Sequence, residues 1–376
     1  MRQDIPLRQL LSLRAMQSRT PVTGGFELTP HCNLSCKMCY IHSRSGQELS
    51  AAQWLDMGRQ AVEAGTLFLL LTGGEPFLRR DFREIYLGLT RMGLSVSINT
   101  NGTLIDDEAV RWLSASPPAQ VNLSLYGVTP EAYGALCGEP DACTRAKRAV
   151  DRLLEAGVAL TLNATLTPLN IGQLDGIADF AAQRGLHVRP TTYLFPPVRR
   201  EGLGCVPPER FSAQEAGRYS ALSQWKTSDR ETLRAFAAAQ PDAECFCPTD
   251  DCLCTDDSRC LAGRSQFWIS WDGRMMPCGM LDEPQTYPFA DGFLPAWREL
   301  TRRLEAVLLP AVCDGCALRG ACPACAAIHR CETGSTSRRA HYLCDMTQSY
   351  LRTLQTLCAD EETPEVDFVT SDEARK

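Results

Sequence analysis

From residue 23 to about 195, short apolar and partly β-branched runs alternate with longer amphipathic segments, the rhythm of βα units around a parallel sheet. Six strands are predicted: Gly25 to Thr29, Leu67 to Thr72, Ser95 to Asn99, Val121 to Tyr126, Ala159 to Leu166 and His187 to Leu194. Three of the connecting helices are clear. One starts at Ser50, with Gln53 at capping-box spacing, and stops at Gly65. Another runs from Asp81 to Gly93. A third, from Thr144 to Gly157, gathers Ala149, Leu153 and Leu154 on one stripe and charge on the other.

Residues 196 to 244, with PPVRREG, a second Pro-Pro and an Ala-rich stretch, read as barrel edge passing into linker. Beyond residue 244 cysteine becomes dense and helical period fades, the mark of a second domain organised by metal. The expected division is an extension over 1–22, a barrel over 23–240, a cysteine-rich domain over 241–358 and an acidic, apolar-poor, disordered tail over 359–376.

Composition narrows the partners. Apolar residues make up 44% and charged residues 22% of the 376, enough for a sizeable core, and the net charge of -7 offers no basic field to nucleic acid or anionic lipid. No apolar run reaches the roughly 18 residues that cross a bilayer, and the Arg- and Gln-broken opening is no signal peptide. A cytoplasmic location is therefore expected, where 19 cysteines mean free thiols for metal ligation or catalysis instead of disulfides.

Cys32, Cys36 and Cys39 fall within eight residues, in a loop directly after the first predicted strand. In barrel enzymes the C-terminal ends of the strands carry the active site. Three thiolates leave one iron of a 4Fe-4S cube open to bind and activate a ligand, whereas four-ligand sites conduct electrons or hold structure. Zinc is the rival, with His31 or His42 as its fourth ligand. A second motif, Thr72-Gly73-Gly74-Glu75-Pro76, follows the apolar run Leu67 to Leu71; paired glycines let backbone approach a ligand, and a glutamate can accept from an ammonium group.

Together the two motifs resemble the radical S-adenosylmethionine (SAM) superfamily, whose Cys-x3-Cys-x2-Cys signature has an aromatic beside the last cysteine, here Tyr40. The resemblance implies that the methionine end of SAM chelates the open iron and that Gly73, Gly74 and Glu75 take its amino group. It also implies a ribose contact at Ser124, in Leu123-Ser-Leu-Tyr-Gly127. The arginine with which some relatives meet the carboxylate is missing between Tyr126 and Thr144. Asn99, Asn101 and Asn163 are candidates for the same rim.

Cys260 to Cys278 reads as a hairpin with Asp272-Gly273 at its turn, and Cys313, Cys316, Cys322, Cys325, Cys331 and Cys344 follow. This resembles the SPASM extension, which binds two auxiliary 4Fe-4S clusters. The resemblance implies one cluster on Cys313, Cys316, Cys322 and Cys344. The other would take Cys260, Cys278 and Cys325, with Cys254 as fourth ligand. Cys331 rivals Cys325, because the usual x3 spacing is x2 in Cys322-Pro-Ala-Cys325, and Cys252 rivals Cys254. Cys245, Cys247 and Cys252 exceed what two clusters need, while Cys137, Cys143, Cys205 and Cys358 read as isolated thiols and the five histidines as packing or hydrogen-bonding groups.

The fold class so implied is α/β, a partial (β/α)6 TIM-type barrel followed by a small iron-sulfur domain with a β-hairpin. The function implied is reductive cleavage of SAM to a 5′-deoxyadenosyl radical that takes hydrogen from a peptide or protein substrate, forming a thioether or carbon-carbon crosslink, an epimer or an oxidised residue. An external donor of flavodoxin or ferredoxin type is expected to supply the electron. With 31 residues ahead of Cys32, a leader peptide would meet a separate recognition protein or the enzyme directly. Three alternatives stay open: a dehydrogenase or epimerase of a small molecule, a sulfatase-maturating enzyme and a non-catalytic iron-sulfur carrier or zinc scaffold. Sulfatase maturation is disfavoured because Gly279, not an acid, follows Cys278, although Asp282 is near.

Overall fold

The computed structural model describes residues 7–39, 46–196, 210–240, 253–254 and 260–359. Tyr40, His42, Cys205, Cys245, Cys247, Cys252 and the tail from residue 360 lie outside them.

Helix α1 (Leu7–Ser18) leads into β1 (Thr23–Glu27), α2 (Ala51–Glu63), β2 (Phe68–Thr72), α3 (Phe82–Arg91), β3 (Ser95–Thr100), α4 (Asp107–Ala115) and β4 (Gln120–Ser124). Then come α5 (Pro130–Cys137), α6 (Ala142–Glu155), β5 (Leu160–Thr165), α7 (Leu174–Ala182), β6 (Val188–Thr191), α8 (Ala213–Thr227) and α9 (Arg230–Ala238). The cysteine-rich part contributes β7 (Leu253–Cys254), β8 (Gln266–Ile269), β9 (Met275–Met276), α10 (Pro288–Asp291), α11 (Phe293–Leu304), β10 (Leu309–Pro310), α12 (Ala326–Thr333) and α13 (His341–Ala359). All six predicted strands form, shifted by a few residues, and Ser50 closes the expected capping box with Gln53. The 19-residue α13 corrects the expectation of little helix beyond residue 244.

Strands β6, β5, β4, β3, β2, β1 and β8 pair in parallel in that order, and β9 closes the open edge antiparallel to β8. Residues of one parity, Phe26, Leu69, Leu71, Val96, Ile98, Val121, Leu123, Leu162, Ala164 and Val188, are buried in the helix-packed core. Those of the other parity, Ser97, Asn99, Asn122, Ser124, Asn163 and Arg189, are polar and face the concave side, as period-2 alternation requires. A parallel sheet with one polar face builds a binding lumen, not a second hydrophobic layer.

The hairpin of the cysteine-rich part belongs to this sheet. Gly24 and Gly25 stand opposite Phe267 and Trp268, and a Cβ at either glycine would come within 2.1–2.4 Å of those rings. The absent side chains let the aromatic strand lie flat on β1. Trp268 then donates to the buried Glu27 carboxylate at 2.9 Å, and Phe267 joins Phe26, Phe293 and Trp297 in one aromatic cluster.

Candidate functional site

The loop after β1 is fastened to the end of β2 by backbone. Leu28 N–H donates to Thr72 C=O, Gly74 N–H to Thr29 C=O at 2.7 Å and Glu75 N–H to His31 C=O at 2.8 Å, so the ladder continues past both strands. Gly73 has φ 148°, and a Cβ there would sit 2.6 Å from the Thr29 oxygen; at Gly74 it would sit 2.1 Å from the His31 oxygen. The glycine pair is therefore what seats the cysteine loop. Among the described residues neither Gly73 nor Gly74 has its carbonyl in a hydrogen bond.

Glu75 is fully buried. One carboxylate oxygen accepts from the Thr100 hydroxyl and Phe77 N–H, the other from Asn101 N–H at 2.8 Å. Burial pushes its carboxyl up to about 7 against the pull of these three donors. Both oxygens are thus committed to the protein, and the side chain braces the strand ends from behind. Arg79, which sequence reading passed over, performs the same service for the loop: it donates to Leu28 C=O at 2.7 Å and Leu49 C=O at 2.9 Å while pairing with Asp81. Glu48, 3.6 Å from that guanidinium, accepts from the Thr29 hydroxyl.

Cys32 receives Leu34 N–H at 3.4 Å and has the Asn101 amide 3.8 Å away; that amide also holds Asn33, which in turn donates to Thr103. Burial first, then the nearby Glu75, Cys36 and Cys39, push the Cys32 thiol up to about 12 even though the Leu34 N–H favours the thiolate. Cys36 is buried and its thiol is pushed higher still, first by its hydrogen bond with Cys137 and then by burial, while the Tyr126 hydroxyl donates to it. Cys137, which the sequence presents as an isolated thiol, thus stands at the site, fixed there because Ser35 and Lys37 donate their N–H groups to the last carbonyls of α5. Cys39 N–H closes the turn onto Cys36 C=O at 3.1 Å.

Ser124 and Asn163 are register partners, as are Asn163 and Arg189, so the three lie in one row across the lumen; Ser124 bonds the Tyr126 hydroxyl. Below that row Asn122 donates to Asn99, and the Arg189 guanidinium reaches Asn122 at 3.5 Å. Arg189 forms no ion pair among the described residues. Its signal in the sequence was slight, a single cation on an edge strand.

In the cysteine-rich part Cys260, Cys278 and Cys325 line one cavity of about 690 Å³, together with Leu309. Leu309 is the register partner of Cys254 across β10 and β7. Cys331 is not in that lining; its thiol faces Met280 C=O at 3.9 Å. A second, tighter cavity is lined by Cys313, Cys316, Cys322 and Cys344, with His329, Arg319 and Arg339. Asp282 is held by Arg330 at 2.9 Å. Burial raises the Cys278, Cys313 and Cys344 thiols to about 11, so a thiophilic metal must displace protons from all of them.

Residues 26–181 match the model of the radical SAM superfamily. Over that stretch, less than half of its length, the chain is similar to a radical SAM domain. It is 26% identical to the AdoMet-dependent heme synthase of Nitratidesulfovibrio vulgaris over 69% of this chain and 73% of that protein, and 34% identical to the mycofactocin maturase MftC of Mycobacterium ulcerans over 46% and 47%. Its fold superposes on Streptococcus suis SuiB, solved with the precursor peptide SuiA, with a TM-score of 0.68 at 18% identity, covering 90% of this chain and 80% of SuiB. Radical SAM enzymes use a 4Fe-4S cluster and SAM.

The donor chemistry fits such a cluster. Buried soft thiols with the nearby carboxylate, Glu75, already satisfied are the set an iron-sulfur cube takes. No helix among the described residues is long and apolar enough to cross a membrane.

Proposed function

We propose that Cys32, Cys36 and Cys39 hold a 4Fe-4S cluster with one open iron, and that the chain cleaves SAM reductively to act on a peptide or protein. The observation carrying this is the three-thiol loop locked by backbone to the Gly73-Gly74 strand end, in a domain matching the radical SAM superfamily. Cluster and SAM together supply a 5′-deoxyadenosyl radical that takes hydrogen from an unactivated carbon. The chain's own residues position and enclose. The carbonyls of Gly73 and Gly74, in no hydrogen bond among the described residues, would receive the amino group of SAM, with Glu75 holding them in place. Ser124, Asn163 and Asn101 offer hydroxyl and amides along the lumen for ribose and base, and Tyr40, outside the described residues, stands beside Cys39 in the chain.

Cys254, Cys260, Cys278 and Cys325 are proposed to hold one auxiliary cluster, and Cys313, Cys316, Cys322 and Cys344 the other. An electron donor of flavodoxin or ferredoxin type would supply the electron that cleaves SAM, with a cytoplasmic location to match. The peptide substrate is supported by SuiB, whose solved complex contains a precursor peptide, and by the relative named as a maturase. A leader-recognition protein belongs to the same reading. The relative named as a heme synthase, which spans more of the chain, favours a small-molecule substrate as the second reading.

The test is anaerobic reconstitution followed by iron analysis and assay of 5′-deoxyadenosine with a chemical reductant. Changing Cys32, Cys36 and Cys39 to alanine should abolish the nucleoside product and remove one cluster's worth of iron; product formation at the wild-type rate would refute the assignment. Mass shifts of candidate peptides and tetrapyrroles then separate the two substrate readings.

A further inference from the structure

The second cavity contains a histidine that neither its sequence position nor the cluster assignment calls for. His329 lies on α12, is 3% exposed, and lines this cavity. Its Nδ1 receives the backbone N–H of Ala340 at 3.2 Å. An N–H can only donate, so Nδ1 must present its lone pair, and in a neutral imidazole the proton then resides on Nε2. Nε2 faces Cys313 Sγ at 4.0 Å. The same Ala340 accepts from the Cys344 thiol at its carbonyl at 3.9 Å, so one imidazole and the backbone of one residue link Cys313 to Cys344.

The rest of the lining agrees in sign. Two cations, Arg319 and Arg339, line the cavity, and among the described residues no carboxylate is in that lining, though Asp345 follows Cys344 in the chain. Arg319 is held in place by donating to Ala324 C=O at 3.1 Å. Hydrogen bonds to cluster sulfurs and cationic surroundings favour the more negative, reduced state and so raise the reduction potential.

We infer that His329 is a positioning residue of the second auxiliary cluster, orienting Cys313 and donating Nε2–H to its sulfur, and that with Arg319 and Arg339 it sets that cluster to accept an electron. The inference rests on the proposed ligand set Cys313, Cys316, Cys322 and Cys344. It gives the second cavity a direction in electron flow: it serves to draw an electron off, as a product formed by loss of both hydrogen and an electron requires.

The test uses the full chain with Cys32, Cys36 and Cys39 changed to alanine, so that only auxiliary clusters contribute, and follows a reductive titration by electron paramagnetic resonance. His329→Leu should keep the iron content and shift the midpoint of one signal to more negative potential. His329→Gln, whose amide can reach the same sulfur, should recover most of that shift, and Arg339→Gln should move the same signal in the same direction. A midpoint unchanged in His329→Leu with iron retained overturns the inference while leaving the ligand set intact. Loss of one cluster's iron in both His329 variants also overturns it, by making the imidazole a ligand or a plain structural support. If instead Cys313→Ala and Cys344→Ala retain all their iron, the ligand set itself fails and the inference falls with it.

Discussion

The two cysteine regions of this protein are built on opposite plans. The first packs three thiols into eight residues and fixes them with backbone: two strand ends, two glycines and a ladder that runs past the strands. The second collects cysteines spread from 260 to 344 and brings them to two cavities through a hairpin, short strands and two helices. A site that must place a reacting ligand within a fraction of an ångström is supported by short-range main chain. The proposed auxiliary sites, which would only relay electrons, tolerate assembly from distant pieces, with side chains such as His329 and Arg319 proposed to set the environment.

Breaking the backbone plan should have the largest effect. Arg79 is 3% exposed in its side chain and serves two carbonyls and Asp81, so Arg79→Met leaves buried partners without their cation and is expected to cost about 3–5 kcal/mol, read by denaturant unfolding. Gly74→Ala drives a Cβ into the His31 carbonyl, where no side chain can yield, and is expected to cost about 3 kcal/mol and to lose SAM cleavage while the auxiliary iron stays. An alanine variant with full SAM cleavage would show that the loop is not seated by this contact.

The dispersed plan makes a gentler forecast. Cys325 lines the larger cavity and Cys331 does not, so Cys325→Ala should lose one cluster's worth of iron and Cys331→Ala should keep it; the reverse result would exchange their places. The smallest effect concerns pH. Glu75 has its carboxyl raised from 4.5 to about 7, so the folded state holds a proton that the unfolded chain has released. Its contribution is present below about pH 4.5 and is lost as pH rises toward 7, a change of about 1–3 kcal/mol. Glu75→Gln should flatten this slope in pH-dependent unfolding, and a slope unchanged by the substitution would mean that the carboxyl stays ionised throughout.

What the sequence revealed follows the same division. Six strands, the capping box at Ser50 and the cysteine loop depend on neighbours within a few residues, and periodicity and spacing carry that information. The union of β8 with β1 does not, since some 240 residues separate Trp268 from Glu27; the paired glycines at 24 and 25 hinted at a close approach without saying to what. Cys137 looked isolated because its neighbour Cys36 lies about 100 residues away across α5. His329 carried no spacing signal at all, as its partners Cys313 and Ala340 lie 16 and 11 residues from it in the chain. Arg79 and Arg189 were invisible for a related reason: an arginine's role is set by which carbonyls or amides face it, and linear order does not state that.

The central claim is that the short-range cysteine loop, and not the dispersed set, is where SAM is opened. Reconstituted protein lacking Cys32, Cys36 and Cys39 should retain auxiliary iron and form no 5′-deoxyadenosine, while protein lacking Cys313 and Cys344 should still form it from SAM and reductant. Nucleoside production that survives the first set of changes, or vanishes only with the second, would contradict the assignment.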